Sequence, residues 1–331
     1  MIVITGGAGF IGSNFILKWL ENSKENILNI DNLSYAANLR NLEVIESDPR
    51  YSFIKTDIQN QNEITEIIKE LKPRAILNFA AESHVDRSIE GPESFINTNI
   101  LGTYSLLEAS LNYWNELDES DKKIFRFFHI STDEVFGSLN LNEKKSTENS
   151  SYKPNSPYSA SKAASDHLVR AWHHTFKLPT LVSNCTNNYG PHQHEEKLIP
   201  LVITKALKNE NLPIYGDGKN IRDWLYVEDH CEAIMKILEN GKPGETYNIG
   251  GNCEKSNLEV VDEICKILDF KNPKQNGSSY SEQIKFVKDR PGHDFRYSLD
   301  IAKIENNLNW KPKESFASGL AKTVQWYLDR S

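Results

Sequence analysis

Two short stretches hold side chains whose types and spacing could do chemistry. Tyr158 and Lys162 stand four residues apart in Tyr158-Ser-Ala-Ser-Lys162. On a helix that spacing puts both on one face, one turn apart. A free phenol, with a pKa near ~10, is a poor base at neutral pH. A neighbouring positive charge favours the phenolate, and Tyr158 could then take a proton from a hydroxyl. The same spacing also suits a half-exposed helix with a snorkelling lysine. The second stretch is Ser131-Thr-Asp-Glu-Val-Phe-Gly137, which follows the apolar run Ile124 to Ile130. Thr132 offers a hydroxyl to orient a substrate oxygen. Asp133 and Glu134 are adjacent carboxyls, and two acids in unlike environments can be held as one acid and one base. Either could instead merely cap the next turn.

A third stretch has nothing reactive in it. Ile2-Val-Ile-Thr5 runs into glycines at Gly6, Gly9 and Gly12, with Phe10 and Ile11 between them, and then into an apolar helical pattern from Ser13 to Leu20. Gly6 permits a tight turn, Gly9 lets backbone N–H groups approach a pyrophosphate, and Gly12 lets helix and strand pack closely. The positive end of the helix dipole faces the anion. A second apolar run, Ile27-Leu-Asn-Ile30, ends in Asp31, 19 residues after Gly12. An acid there accepts both hydroxyls of an adenosine ribose and repels a 2′-phosphate, so the predicted cofactor is NAD. The positive charge beside Tyr158 would then be the Lys162 ammonium together with an oxidised nicotinamide.

The elements that must position these groups follow from the rhythm of the chain. Strands are predicted near 2–5, 27–30, 51–55, 75–80, 125–131 and 180–184, with helices near 12–22, 39–47, 61–71, 96–114 and 158–176. Such alternation means βαβ units and a parallel sheet covered on both faces. The carboxyl ends of its strands are where ligands bind, and Thr132 to Glu134 fall at one of them. The polar stretch 137–157 reads as a loop. Beyond Gly190-Pro191 the rhythm breaks into a smaller, irregular lobe. The expected division is a dinucleotide-binding domain over 1–186, with 225–250 returning to it, and a substrate lobe over 187–331.

Composition bounds the rest. At 331 residues, 38% hydrophobic and 25% charged, the chain can bury a large core. Its net charge is −8, with no long basic run, which argues against nucleic acid or an anionic membrane as partner. An anionic ligand would have to be met by local cations. The four cysteines form no Cys-x-x-Cys pair, so neither a zinc site nor a disulfide frame is suggested. His192-Gln-His194 has no third ligand close by, and no metal is expected. No apolar stretch approaches ~18 residues. The chain opens inside a predicted strand, without room for a leader, and the expected location is the reducing cytosol.

The glycine motif, Ser131 to Gly137 and Tyr158-x-x-x-Lys162 together resemble the extended short-chain dehydrogenase/reductases. The Asp-Glu pair after Thr132 resembles, within them, the nucleotide-sugar 4,6-dehydratases. Further matches run nearly the whole chain: Asp31 to Asn38, Asp57-Ile58, Ala80 to Arg87, Asn187 to Pro191, Glu196 to Pro200, Arg222-Asp-Trp224 and Asp289 to Asp294. The resemblance implies a Rossmann-type doubly wound α/β fold. It implies NAD as cofactor and a nucleotide-diphosphate glucose as substrate, with dTDP ahead of UDP. It also implies a homodimer paired through helices 96–114 and 158–176, which could equally be covered by their own sheet.

The chemistry implied is an oxidation, an elimination and a reduction. Tyr158 takes the proton of the sugar 4-hydroxyl while NAD⁺ takes the hydride. Glu134 removes the proton on C5, Asp133 protonates the departing 6-hydroxyl, and the hydride returns to C6. By the same resemblance Asp31 holds the adenosine ribose, with Asn32, Leu33 and Ser34 beside it, and Asp57 and Ile58 lie by the adenine. Ala80, Ala81, Ser83, Thr98 and Asn188 lie along the cofactor. His84, Thr132 and Asn187 surround the sugar. Lys197 with Leu198, Arg222, Asn257, Arg290 and His293 meet the nucleotide diphosphate, and Pro213 and Tyr215 frame the base.

An arginine pair suits a pyrophosphate through bidentate hydrogen bonds. The residues themselves leave alternatives open: Lys197 as a solvated loop charge, Arg222 buried against Asp223 as an ion pair, Tyr215 as a core residue. The chain departs from the family pattern at Phe136, where Tyr is common, and at Ala37, where Gly is common; neither removes a group from the proton scheme. A nucleotide-sugar 4-epimerase on the same scaffold would share Tyr158 and Lys162 but would not need the acids at 133 and 134. A non-catalytic NAD-binding protein would need none of Thr132, Tyr158 or Lys162.

Overall fold

In the computed structural model, which describes residues 1–330, the β-branched runs become strands buried on both faces, as Ile2, Val3 and Ile4 show. The strands in chain order are β1 (Ile2–Thr5), β2 (Ile27–Asp31), β3 (Tyr51–Lys55), β4 (Ala75–Asn78), β5 (Arg126–Thr132) and β6 (Thr180–Cys185). They continue with β7 (Asn187–Tyr189), β8 (Leu212–Tyr215), β9 (Ile221–Tyr226), β10 (Thr246–Ile249), β11 (Glu254–Ser256) and β12 (Ile284–Val287). Seven form one sheet in the order β10-β6-β5-β4-β1-β2-β3. Every pairing in it is parallel. A three-stranded sheet, β11-β9-β7, and a parallel pair, β12-β8, serve the remainder.

The helices of the first half are α1 (Phe10–Asn22), α2 (Gln61–Leu71), α3 (Val85–Glu90), α4 (Glu93–Phe95), α5 (Thr103–Glu116), α6 (Glu119–Ile124) and α7 (Pro157–Phe176). Those of the second half are α8 (Leu198–Leu207), α9 (Val227–Asn240), α10 (Asn257–Lys271), α11 (Ala302–Leu308) and α12 (Phe316–Leu328). Phe15 and Trp19 of α1, Ile234 of α9 and Ile304 of α11 share the core on one face of the large sheet. Ile64 and Ile68 of α2, Leu106 of α5 and Val169 of α7 share the core on the other. A third core joins α8, α10 and α12 around Trp224 and Tyr189. Thus α9 and β10 pack with the large sheet although they follow the start of the smaller lobe in sequence.

Three elements differ from expectation. The segment 39–47 is a 3₁₀ helix over Leu39–Ile45, capped by the Asn38 side chain. Only Leu42 of it is buried, so no apolar stripe holds a longer α-helix against the core. The helix expected from 96 opens with a π-helical stretch, Ile96–Gly102, before α5 continues it. Gly102 faces Ile58 there, and an added Cβ would come within 2.6 Å of the Ile58 side chain. The smaller lobe is also more regular than its broken rhythm suggests. Its α10 has 15 residues and opens on a Ser256–Glu259 capping box.

Candidate active site

The glycine turn shapes one end of a cleft along the carboxyl edge of the sheet. Gly6 has φ +72°, and an added Cβ would meet the Ala80 backbone N at 2.5 Å. A Cβ on Gly12 would meet the Gly6 carbonyl oxygen at 2.4 Å, the close strand–helix approach expected of it. Gly9 precedes α1 as its N-cap with no side chain capping the helix. A Cβ there would meet the Gly6 carbonyl oxygen at 3.3 Å, and no side chain satisfies the first N–H groups of the helix. At the end of β2 the Asp31 carboxylate accepts the Ala8 N–H at 3.0 Å and the Leu33 N–H at 2.8 Å. Burial pushes its pKa up and those two N–H bonds oppose the shift. A cradle of N–H groups next to a fixed carboxylate fits the pyrophosphate and ribose of a dinucleotide.

Along this cleft lie Phe10, Ile11, Asn32, Ser34, Ile58, Ala80, Ala81, Ser83 and Thr98. Thr132, Asp133, Glu134, Tyr158, Lys162, Asn187, Asn188 and Lys197 line it further along. Leu33 and Asp57 sit behind that wall: Leu33 turns at φ +59°, and Asp57 accepts the Asn32 side-chain amide at 2.8 Å. Cys185, Thr186, Gln193 and Glu196 also line the cleft, and the sequence reading assigned them no role. Cys185 pairs in register with Thr132 across β5 and β6, a neighbour only the sheet order reveals.

The reactive end is built by β5 and α7. β5 ends at Thr132, and the chain tightens into a 3₁₀ turn over Asp133–Phe136, whose first N–H groups include Glu134 N donating to Thr132 Oγ1 at 3.2 Å. Pro157 and the Ser156–Ser159 capping box start α7 immediately before Tyr158. Thr132 Oγ1 donates to Asp133 Oδ1 at 3.2 Å. Asp133 Oδ2 is buried and has no hydrogen-bond partner among the described residues.

The two acids differ in surroundings. Burial pushes Asp133 well above the usual carboxyl range, and the Glu134 charge adds to the shift. Burial also raises Glu134, but Arg290, Arg222 and Lys197 all oppose it. Asp133 is therefore the harder of the two to ionise, and Glu134 the easier.

For Tyr158 the expected lowering called on the Lys162 ammonium together with an oxidised nicotinamide; the surrounding protein acts the other way. Burial pushes the phenol well above 10, Glu134 pushes the same way, and the Thr132 hydroxyl opposes them. The Lys162 ammonium is turned elsewhere: Nζ bonds the Ile130 carbonyl at 2.8 Å and His129 Nε2 at 3.2 Å. Burial lowers Lys162 to about 8.

The smaller lobe supplies the cations. Arg222 is 5% exposed and does not pair with Asp223. Its guanidinium donates to the carbonyls of Ile221, Asp294 and Phe295 and lies over the Tyr297 ring at 4.4 Å. Asp223 instead accepts the N–H groups of Gly251 and Cys253. Lys197 is not a solvated charge; its Nζ donates to the Ser83 carbonyl at 2.7 Å, across the cleft. Arg290 meets Asp86 at 3.5 Å, and Tyr215 donates to the other oxygen of that carboxylate at 3.3 Å. His293 packs edge-on against Tyr215 and bonds Asp289 at 2.6 Å. His84 lies 3.9 Å from Glu196. Leu198 begins α8, Pro213 lies in β8, and Asn257 begins α10.

A dinucleotide cradle and a Tyr–Lys pair on one edge of a doubly wound parallel sheet put the chain among the extended short-chain dehydrogenase/reductases. Residues 3–323 match the model of the family described as GDP-mannose 4,6 dehydratase, and the chain belongs to that family. It is 55% identical over 332 residues to the dTDP-glucose 4,6-dehydratase of Haemophilus influenzae, covering 100% of this chain and 98% of that protein. It is also 55% identical over 326 residues to the enzyme of the same name from Xanthomonas campestris pv. campestris, covering 98% and 92%. Among solved structures, DesIV from Streptomyces venezuelae, a dTDP-glucose 4,6-dehydratase with NAD bound, matches with a TM-score of 0.90 and 42% identity, over 99% of this chain and 97% of that one.

Proposed function

We propose that this protein is a hydro-lyase that converts dTDP-glucose to its 4-keto-6-deoxy sugar with NAD as a resident cofactor. The observation that carries the reading is the pair at the end of β5: one carboxyl raised well above its usual range by burial and by its neighbour's charge with Arg222 alone among the cations opposing, the other opposed by Arg290, Arg222 and Lys197 together. An elimination needs an acid and a base within reach of adjacent carbons. The 55% identical relatives of that activity support the substrate.

The glycine turn and Asp31 would hold the pyrophosphate and the adenosine ribose, with Lys162 lining the same cleft. NAD, when bound, supplies the hydride acceptor for C4 and the donor for C6. Thr132 orients the sugar 4-oxygen, and Tyr158 takes its proton at the phenolic oxygen. Once C4 is a ketone, the hydrogen on C5 is acidic and Glu134 removes it. Asp133 gives its proton to O6 as water leaves. Arg222, Arg290 and Lys197 offset the charge of the nucleotide diphosphate, with Asn187 and His84 at the sugar. Asp57 and Ile58 flank the adenine end, Asn188 and Thr98 the cofactor, and Tyr215 with Pro213 the nucleotide base.

A homodimer is part of the same proposal. Leu101, Tyr104 and Phe176 stand exposed on the π stretch, α5 and α7, an apolar face for a second copy. So are the division at 186 with 225–250 returning, and a cytoplasmic location. No helix among the described residues is long and apolar enough to cross a membrane.

The test is to add dTDP-glucose with no external NAD⁺ and follow the ultraviolet absorption of a 4-keto sugar in alkali. The reading predicts that product. Formation of the galacto isomer with no keto sugar would assign the protein to the epimerases instead.

A further inference from the structure

Behind the reactive face lies a buried polar group that the proton scheme does not use. Asp166 stands four residues after Lys162 on α7 and is 4% exposed. Its Oδ2 accepts three hydrogen bonds: from Ser131 Oγ at 2.9 Å, from the Tyr152 hydroxyl at 2.9 Å and from the Asn184 amide at 3.2 Å. Its Oδ1 lies 3.4 Å from His129 Nε2. Donors from β5, β6 and the 137–157 loop thus converge on one carboxyl, and no acceptor is presented to it. Burial pushes the Asp166 carboxyl up, and the Lys162 charge together with these three donors opposes the shift and favours the carboxylate, while Oδ1 keeps no hydrogen bond of its own.

A buried anion needs a buried cation. Lys162, 3% exposed, is the cation at hand. His129 Nε2 stands between them, 3.2 Å from Lys162 Nζ and 3.4 Å from Asp166 Oδ1. Asn78 fixes the far side of that ring at 3.2 Å and is itself held by Thr5 and Thr103. The titratable neighbours of Lys162 are therefore Asp166 and Tyr158 on α7, His129 on β5 and Cys185 on β6. Cys185 is pushed up to about 12 by burial, and the His129 imidazole is pushed well below 6.5. Both are neutral at physiological pH, which leaves the Asp166 carboxylate as the resident counter-charge.

We infer that Asp166 is the positioning residue that keeps Lys162 an ammonium, with His129 as the neutral spacer that holds carboxylate and ammonium at a fixed separation. The role rests on the proposed dehydration, in which Lys162 must stay charged to serve the cofactor and the phenol. Sequence spacing carries a trace of it, because Lys162 and Asp166 repeat the four-residue step of Tyr158 and Lys162. Removing the carboxylate charge leaves Lys162 desolvated and unsupported, and its proton is lost at lower pH.

The experiment is an NMR titration of the full chain labelled at the lysine ε-carbons, with the Lys162 signal assigned by its loss in Lys162→Arg. It reads the lysine itself and requires no turnover, so its outcome is separate from that of the dehydratase assay. The wild-type midpoint is expected near pH 8. Asp166→Asn should lower it by about one unit or more, and Asp166→Glu should restore it. A purely structural Asp166 would lower the melting temperature of Asp166→Asn and leave the midpoint in place, which overturns the inference. Should Asp166→Asn not fold, the wild-type titration still decides, since a midpoint below about 6 means that no resident carboxylate supports the lysine.

Discussion

The sheet wall of the cleft carries Thr132, Asp133, Tyr158 and Lys162 where β5 ends and α7 begins, all of them 8% exposed or less. The lobe side carries Lys197, which lines the cleft, with Arg290 and Arg222 close enough to act on Glu134 and His293 on a half-buried loop position. On the first wall, burial dominates every shift: it raises Asp133 and Tyr158 and lowers Lys162. On the second wall, the cations are what bring Glu134 back toward ionisation. On the proposed reading, this contrast is what divides acid and base duties between two adjacent residues of similar chemistry. Asp133 belongs to the desolvated wall, and Glu134, one residue on, faces the charged one.

Breaking the sheet wall should have the largest effect. Tyr158→Phe removes the group proposed to accept the first proton, and kcat should fall about 10³-fold. Single-turnover mixing should show the loss already in the first oxidation. A fully active Tyr158→Phe would separate the phenol from the reaction.

Asp133→Asn sharpens the comparison because activity and stability should move in opposite directions. Elimination should slow at least ~100-fold for want of the acid. The folded-state pKa of Asp133 lies above its unfolded value, so its contribution to stability is whole below about pH 4 and is lost as pH rises through the folded value. Asparagine removes that slope. The variant should be more stable than wild type by about 1 kcal/mol at neutral pH, with the gain vanishing near pH 4. Thermal melts across pH would check this, and a less stable variant at pH 7 would contradict it.

The lobe wall should give the smallest effect. Arg290→Ala removes one of three cations and leaves Asp86 with Tyr215 as its remaining hydrogen-bond partner. KM for dTDP-glucose should rise about tenfold while kcat changes less. Steady-state kinetics separate the two, and a collapse of kcat at unchanged KM would move Arg290 to the reactive end.

The same contrast governs what could be read from the sequence. The dinucleotide end was legible because its constraints are local: Gly6 needs a positive φ, and Gly12 cannot carry a Cβ beside the Gly6 carbonyl. The end of β5 was legible because an apolar run delivers polar residues to a ligand edge. The stretch Ile96–Gly102 was legible as helix, but its π winding was not. It places the Asn99 side chain where it bonds both the N–H and the C=O of Glu82, a partnership across 17 residues. The direction of the Lys162 ammonium was not legible, because sequence spacing puts Lys162 on the face of Tyr158 but cannot say that Nζ is turned toward Ile130 and His129. Cys185 and Glu196 entered the cleft through sheet order and loop packing, which no local pattern records.

The central claim is that Glu134, on the charged side of the pair, is the base that starts elimination. Its most direct test is to mix Glu134→Gln with dTDP-glucose and follow the near-ultraviolet absorbance of reduced nicotinamide. Oxidation at C4 does not need Glu134, whereas loss of the C5 proton does, so the account predicts that the reduced cofactor accumulates and persists while product formation stalls. A variant that forms the 4-keto-6-deoxy sugar at the wild-type rate, with no lasting absorbance, would contradict it.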